Sequence, residues 1–205
     1  MSSGTGAEGR VTARSGFVAS DLALIAVFAA LIAVFALIPA VFTVGAVPFA
    51  LQIIIVLLAP LVLGAVRGVA TILLYLLVGI AGLPVFSGGA SGPAVLIGAS
   101  GGYLIGWIFA AIAIGAIRTA VARRRPQRAV MTIWLLVAAL VGIVIIHAFG
   151  VAWFMVSPNL RMSIGKAVLA TAPFLPLDLV KAVVAALLAI AVLTAFPRLM
   201  PARRP

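Results

Sequence analysis

Val130-Met-Thr-Ile-Trp-Leu-Leu-Val-Ala-Ala-Leu-Val-Gly-Ile-Val-Ile-Ile-His147-Ala-Phe-Gly-Val-Ala-Trp-Phe-Met-Val156 carries one ionisable side chain, His147. The run is longer than the roughly 20 residues that take an α-helix across the hydrocarbon core of a bilayer. It reads as a membrane span. Outward from it, further apolar runs cover residues 22–42, 47–66, 68–83, 102–120 and 177–196, so with 130–156 the chain divides into six expected transmembrane helices. The composition agrees: 66% of the 205 residues are hydrophobic and 8% are charged. An all-α integral membrane protein follows. The net charge of +11 is distributed between or beside the apolar runs, without aromatic interleaving on a polar surface, so no nucleic-acid partner is expected. The basic residues report topology. With an inside N-terminus, eleven arginines fall on the inner side (Arg10, Arg14, Arg67, Arg118, Arg123, Arg124, Arg125, Arg128, Arg198, Arg203 and Arg204). Only Arg161 and Lys166 fall outside. The positive-inside rule then places both termini in the cytoplasm. Residues 1–20 are expected to be a disordered cytoplasmic tail, 21–197 the membrane domain and 198–205 a basic cytoplasmic tail.

Two outer segments break the helical pattern. Residues 84–102 hold too much Gly, Ser and Pro for an uninterrupted helix but keep apolar side chains, which predicts a re-entrant or capping loop packed on protein. Residues 157–176 are expected to contain a short helix over Ile164–Thr171 before breaks at Pro173 and Pro176. Together these segments are expected to roof a cavity open to the exterior. No internal repeat is visible, which gives an inverted-repeat transporter little support.

The chemistry-bearing residues are few. Asp178 and Lys181 sit three apart in the last apolar run, on one helix face about 4.5 Å apart along the axis. Charges inside a bilayer cost roughly 2.5–3.5 kcal/mol each on translocon scales, so they persist where they pair, line a cavity or meet a ligand. Two readings stand: an internal ion pair, or a polar clamp in which the carboxylate accepts N–H donors and the ammonium donates to an oxygen. Gln52 in the second run reads as an interhelical hydrogen bond or a ligand contact, and Arg67 as a topology anchor. Phe86 and Tyr103 flank the glycine-rich loop as interfacial anchors or ligand contacts. The absence of cysteine removes thiolate chemistry, and one histidine with three scattered acids (Glu8, Asp21 and Asp178) gives no metal site. No Gly-x-x-x-x-Gly-Lys-Ser/Thr loop is present, so the chain has no phosphate loop with which to hydrolyse ATP.

Gly79-Ile-Ala-Gly-Leu-Pro-Val-Phe-Ser-Gly-Gly, then Gly98-Ala-Ser-Gly-Gly-Tyr103-Leu-Ile-Gly106, then Pro173-Phe-Leu-Pro-Leu-Asp178-Leu-Val-Lys181-Ala together resemble the BioY family. Those proteins are the biotin-binding S components of energy-coupling factor (ECF) transporters. The resemblance extends from about Leu22 to the sixth run and includes Val47-Pro48-Phe-Ala-Leu-Gln52, expected to open the second helix. It implies a six-helix fold that binds biotin from outside and delivers it through a transmembrane T component and a pair of ATP-binding-cassette ATPase subunits. It implies no cofactor and no catalysis. Under it, Asp178 suits the ureido N–H groups of biotin and Lys181 suits either the ureido carbonyl or the valerate carboxylate. Phe86, Ser87, Gly88 and Tyr103 then close over the ligand. S components of this class also resemble one another in an Ala-x-x-x-Ala pattern on the first helix that docks the T component. Here Ala26/Ala30 and Ala29/Ala33 both fit it. Internal helix packing explains the same alanines.

The rival is an intramembrane serine protease. Gly98-Ala-Ser100-Gly resembles the nucleophile motif of rhomboid proteases, and His147 lies toward the outer end of the following antiparallel run. A Ser100/His147 dyad is chemically sufficient, because imidazole can take the hydroxyl proton. The chain lacks the upstream His that rhomboids share, and the dyad leaves Asp178 and Lys181 unexplained. His147 otherwise reads as a core hydrogen-bonding group directed at a backbone carbonyl.

Overall fold

Among the described residues, eight α-helices are connected so that each long apolar segment runs back against its neighbour. The computed structural model describes residues 17–38, 43–44, 47–48, 50–124 and 126–200. The helices are α1 (Ala19–Leu37), α2 (Ile53–Leu63), α3 (Ala65–Ile80), α4 (Ala94–Ile97), α5 (Gly101–Arg123), α6 (Arg128–Val156), α7 (Ile164–Thr171) and α8 (Leu175–Ala195). A two-residue antiparallel ribbon, β1 (Thr43–Val44) and β2 (Val47–Pro48), precedes α2. Helices satisfy every interior backbone group within the segment, which is what a lipid environment demands. Among the described residues, Ala19–Leu37, Gly101–Arg123, Arg128–Val156 and the helical stretch Ile164–Ala195 are long and apolar enough to cross a membrane.

The second expected span is the one the structure alters most. Residues 47–52 do not open a helix: Val47 and Pro48 pair with Thr43 and Val44, and α2 starts only at Ile53. Proline drives the residue before it to extended backbone, which explains the loss of the first turns. At 11 residues α2 is roughly 16 Å long and at 16 residues α3 roughly 24 Å, against a hydrocarbon core of about 30 Å. They form one tight hairpin at Gly64, whose φ of +85° is the left-handed region open to glycine. A Cβ at Gly68 would come within 2.7 Å of Pro60 Cα, so the two helices touch backbone to backbone.

The central pair is α5 and α6. A Cβ at Gly102 would lie 2.2 Å from Trp153 Cβ, one at Gly106 2.9 Å from Phe149 Cβ, and one at Gly142 2.4 Å from Ile114 Cδ1. Position rises on one helix as it falls on the other, so they run antiparallel with small residues set opposite large ones. α8 uses the same device: Ala182, Ala185, Ala186 and Ala189 are buried, while Val180, Val183, Leu187 and Leu188 face outward. Exposed leucines and valines in such number belong on a lipid-facing exterior.

Pro173 and Pro176 do not stop the chain. A single 3-10 turn, Ala172–Phe174, joins α7 to α8, and each proline sits in a first turn, where its missing N–H has no intrahelical partner to lose. The glycine-rich segment caps one end as expected, with Phe86 buried and Val85, Val95, Leu96 and Ala99 packed on the core. Of the expected N-terminal tail, residues 1–16 lie outside the described residues. Pro197–Leu199 forms a 3-10 turn after α8, and residues 201–205 lie outside the described residues.

The opposite end gathers the basic residues. Arg67 at the start of α3 pairs with Asp21 at the start of α1 at 2.8 Å. Arg118, near the end of α5, donates to the Val62 carbonyl of α2 (2.9 Å) and to the Leu199 carbonyl. Arg118 is therefore more than a topology signal. It is 4% exposed and joins the end of α2 to the turn that follows α8.

The contact of α5 with the start of α3 gives a stability test. A Cβ at Gly115 would stand 2.2 Å from Ala65 N, so Gly115→Val forces α5 away from α3 and should cost about 1–3 kcal/mol. The thermal unfolding midpoint of the detergent-purified protein should fall clearly, whereas Ala116→Val, one residue on and outward-facing, should leave it nearly unchanged.

Candidate functional site

Asp178 enters the interior at the first turn of α8, and Lys181 follows one turn later on the same face. Both are buried, at 2% and 4% exposure, inside a helical body whose other interior side chains are almost all apolar. Burial at that depth requires partners for every charge. Lys181 Nζ donates to Asp178 Oδ1 at 2.8 Å and to the Ala50 carbonyl, just before α2, at 2.9 Å. The second carboxylate oxygen is held from another helix: His147 Nε2 on α6 lies 3.0 Å from Asp178 Oδ2. His147 thus bonds a carboxylate, where a backbone carbonyl was expected. An ionised carboxylate only accepts, so the ring places its hydrogen on Nε2 for this bond.

Tyr103 closes the side of this cluster. Its ring meets the His147 ring edge to face, with centroids 6.1 Å apart and planes at 80°, and meets Phe154 at 6.1 Å. Gly150 creates the seat, since a Cβ there would be 2.6 Å from Tyr103 Cζ. A second, mainly aromatic group lies beside the α2–α3 hairpin. Tyr75 Oη is 3.2 Å from Gln52 Oε1 and 3.0 Å from the Val85 carbonyl, and the Tyr75 ring contacts Phe86 (5.6 Å, 82°) and Trp107 (6.0 Å). Phe86 fills the space that Gly79 leaves, with the position of a Gly79 Cβ only 2.3 Å from Phe86 Cζ. The short turn containing Ala50 and Gln52 links the two groups, the first residue to Lys181 and the second to Tyr75.

The structure therefore brings Asp178, Lys181 and Tyr103 around His147, and seats Phe86 in the adjoining aromatic group. Ser87 is half-buried at the start of a 3-10 turn, and Gly88 is exposed at its apex with φ +72°. Gln52 makes the interhelical bond that its position in an apolar run predicts. Four contributors were not singled out from sequence: Ala50, which acts through its carbonyl; His147 in its role toward Asp178; and Tyr75 and Trp107, which looked like ordinary span residues. The Tyr103 hydroxyl and the Trp107 indole N–H are buried without a protein partner among the described residues. Of the two, Tyr103 stands against the charged cluster, and its hydroxyl is a group that a polar ligand or ordered water can satisfy.

The geometry disfavours the hydrolytic reading. Ser100 precedes the first turn of α5, and His147 spends Nε2 on Asp178; no hydrogen bond joins Ser100 to His147 among the described residues. The adjacent loop is held otherwise, by Trp153 Nε1 donating to the Gly98 carbonyl at 2.9 Å.

On the first helix, Ala29 is buried against the body, Ala33 is half-buried, and Ala26 and Ala30 are exposed. The Ala26/Ala30 register is the outward one.

The sequence matches the family model described as the BioY family over residues 8–198. It is 39% identical over 158 residues to a biotin transporter BioY of Rhizobium etli, covering 77% of this chain and 83% of that protein. It is 40% identical over 147 residues to a biotin transporter BioY of Thermotoga maritima, covering 71% and 80%. The fold is similar to the crystal structure of the S-component for biotin from an ECF-type ABC transporter, with a TM-score of 0.75 and 25% identity over 85% of this chain and 91% of that one.

The charged cluster predicts a thermodynamic cycle. Lys181→Met leaves Asp178 buried without its ammonium and should cost about 3–5 kcal/mol of stability. The double variant Asp178→Asn/Lys181→Met should recover most of that loss. Strictly additive costs in thermal unfolding would show that the two residues do not act as a unit.

Proposed function

The chain belongs to the BioY family, and on that premise we propose that it is the biotin-capturing S component of an ECF-type vitamin uptake transporter. The observation that carries the reading is the buried Asp178–Lys181 pair, beside which Tyr103 packs on His147 with a hydroxyl that has no protein partner among the described residues. Biotin has a ureido ring with two N–H donors and a carbonyl, an apolar bicycle and a carboxylate-ended chain. Asp178 accepts from the ureido N–H groups, and Lys181 supplies a donor to the carbonyl or to the carboxylate. Tyr103 and Phe86 cover the bicycle, with Ser87 and Gly88 forming the lip of the cap.

Six crossings are proposed, made by α1, α2 with its preceding ribbon, α3, α5, α6 and the α7–α8 stretch. The start of α1 and the turn after α8 both lie at the arginine-rich end. By the positive-inside rule that end is cytoplasmic, both termini with it, and the Asp178 site opens outward. If delivery to the cytoplasm is driven by ATP, the energy comes from another subunit, because the sequence contains no phosphate-binding loop. The partners are a T component and ABC-type ATPase subunits, with Ala26 and Ala30 on α1 as the docking face, flanked by Ala33. Ala29 supports that face from within.

Two experiments test this reading. Asp178→Asn should weaken equilibrium binding of labelled biotin to the purified chain by about ten- to a hundredfold, the scale of one hydrogen bond to a charged group. Unchanged affinity in a folded variant removes Asp178 from the site, and competition with other vitamins checks the ligand class. Ala30→Phe should abolish biotin uptake by the assembled transporter and leave binding to the isolated chain intact; loss of both would make α1 an internal packing element only.

A further inference from the structure

We propose that His147 is a positioning residue for ligand recognition: its Nε2–H fixes the plane of the Asp178 carboxylate so that the remaining acceptor directions face the ligand. The inference rests on the reading of Asp178 as the biotin-binding acid. A carboxylate with a single hydrogen bond can swing about it. Asp178 is held to Lys181 from one turn further along the same helix, which leaves that freedom in part, whereas His147 holds the other oxygen from α6, an independent element. With Oδ1 fixed at 2.8 Å and Oδ2 at 3.0 Å by groups on two helices, the carboxylate has one orientation. The ion offers about four lone-pair directions, and these two donors take two of them.

His147 is itself immobilised. The Tyr103 ring abuts it edge to face, and Tyr103 is seated against Gly150 on the same helix as His147. The sequence Gly150, Tyr103, His147, Asp178 is a line of contacts that transmits rigidity to the acid. A recognition group already held in its bound orientation loses less freedom when the ligand arrives, and that difference appears as affinity. The alternative bland role, filling space between α6 and α8, predicts sensitivity to side-chain volume and not to where the donor N–H stands.

The test exploits that distinction. Glutamine can place its amide N–H close to where His147 Nε2 stands, while asparagine, one methylene shorter, cannot reach it. Labelled-biotin equilibrium binding is measured on the full-length detergent-purified chain for wild type, His147→Gln, His147→Asn, His147→Ala and Asp178→Asn, with thermal unfolding of each. His147→Gln should stay within about threefold of wild type, and His147→Asn and His147→Ala should bind about tenfold more weakly, one hydrogen bond to a charged group being the difference. If Gln and Asn weaken binding equally, or neither does, while Asp178→Asn still loses it, the positioning role is overturned and the biotin reading stands. If folded wild type binds no biotin, the underlying reading fails and takes the inference with it. The Gln–Asn comparison decides even where the alanine variant does not fold.

Discussion

Burying Asp178 and Lys181 is the constraint around which one end of the molecule is arranged. Neither charge tolerates an apolar interior alone, and the cost of leaving one unpartnered is several kcal/mol. Pairing them one turn apart on α8 neutralises the charge but leaves polar atoms to satisfy. The Ala50 carbonyl meets Lys181, and His147 meets Asp178. Those two contacts require the residues just before α2 and the C-terminal half of α6 to converge on α8. The late start of α2 fits the same requirement, because a carbonyl inside a helix is already committed to the N–H four residues on. Ala50 precedes α2, and its carbonyl is available to the ammonium.

Convergence of that kind needs helices that approach closely, and small residues supply it. Gly102, Gly106 and Gly142 bring α5 and α6 together, Gly115 brings α5 to the α2–α3 hairpin, and the buried alanines of α8 bring it against the body. The resulting seams then admit large rings, one beside the charged cluster and one in the adjoining aromatic group. Tyr103 occupies the seat made by Gly150, and Phe86 the one made by Gly79. Small residues at crossings and aromatic walls at the site are thus two halves of one packing arrangement.

Much of this was legible in the sequence, for identifiable reasons. The runs at 130–156 and 177–196 correspond to α6 and α8 within two residues at each end, and the short helix Ile164–Thr171 was placed as it occurs. Long apolar segments bounded by polar residues admit few other readings. The pair Asp178 and Lys181 was visible because both lie on one helix, where spacing fixes geometry. The partnership of His147 with Asp178 was not, because residues on different helices meet only through the packing of the whole bundle. Residues 47–52 misled because their apolarity resembles a span, while Pro48 sets the local backbone. Arg118 misled in another way: eleven arginines on one side fit a topology rule, and no sequence signal separates the one that turns inward.

Arg118 also sharpens what distinguishes a structural buried charge from one suited to recognition. Its guanidinium donates to the carbonyl of Val62, one of the last-turn acceptors that every helix leaves without an intrahelical partner, and to Leu199 beyond the end of α8. Both acceptors belong to chain ends that the bond ties together. Substituting it would open the fold at that end. Asp178 differs in kind. Its two donors come from side chains, an ionised carboxylate has more acceptor directions than those donors use, and Tyr103 in the surrounding wall has a hydroxyl without a protein partner among the described residues. A group whose bonds run to the backbone carbonyls of two chain ends holds a structure together. A rigidly held group with capacity to spare, in a wall that has a donor to spare, is suited to a ligand that carries both acceptors and donors, and a cyclic urea with a carboxylate tail is such a molecule.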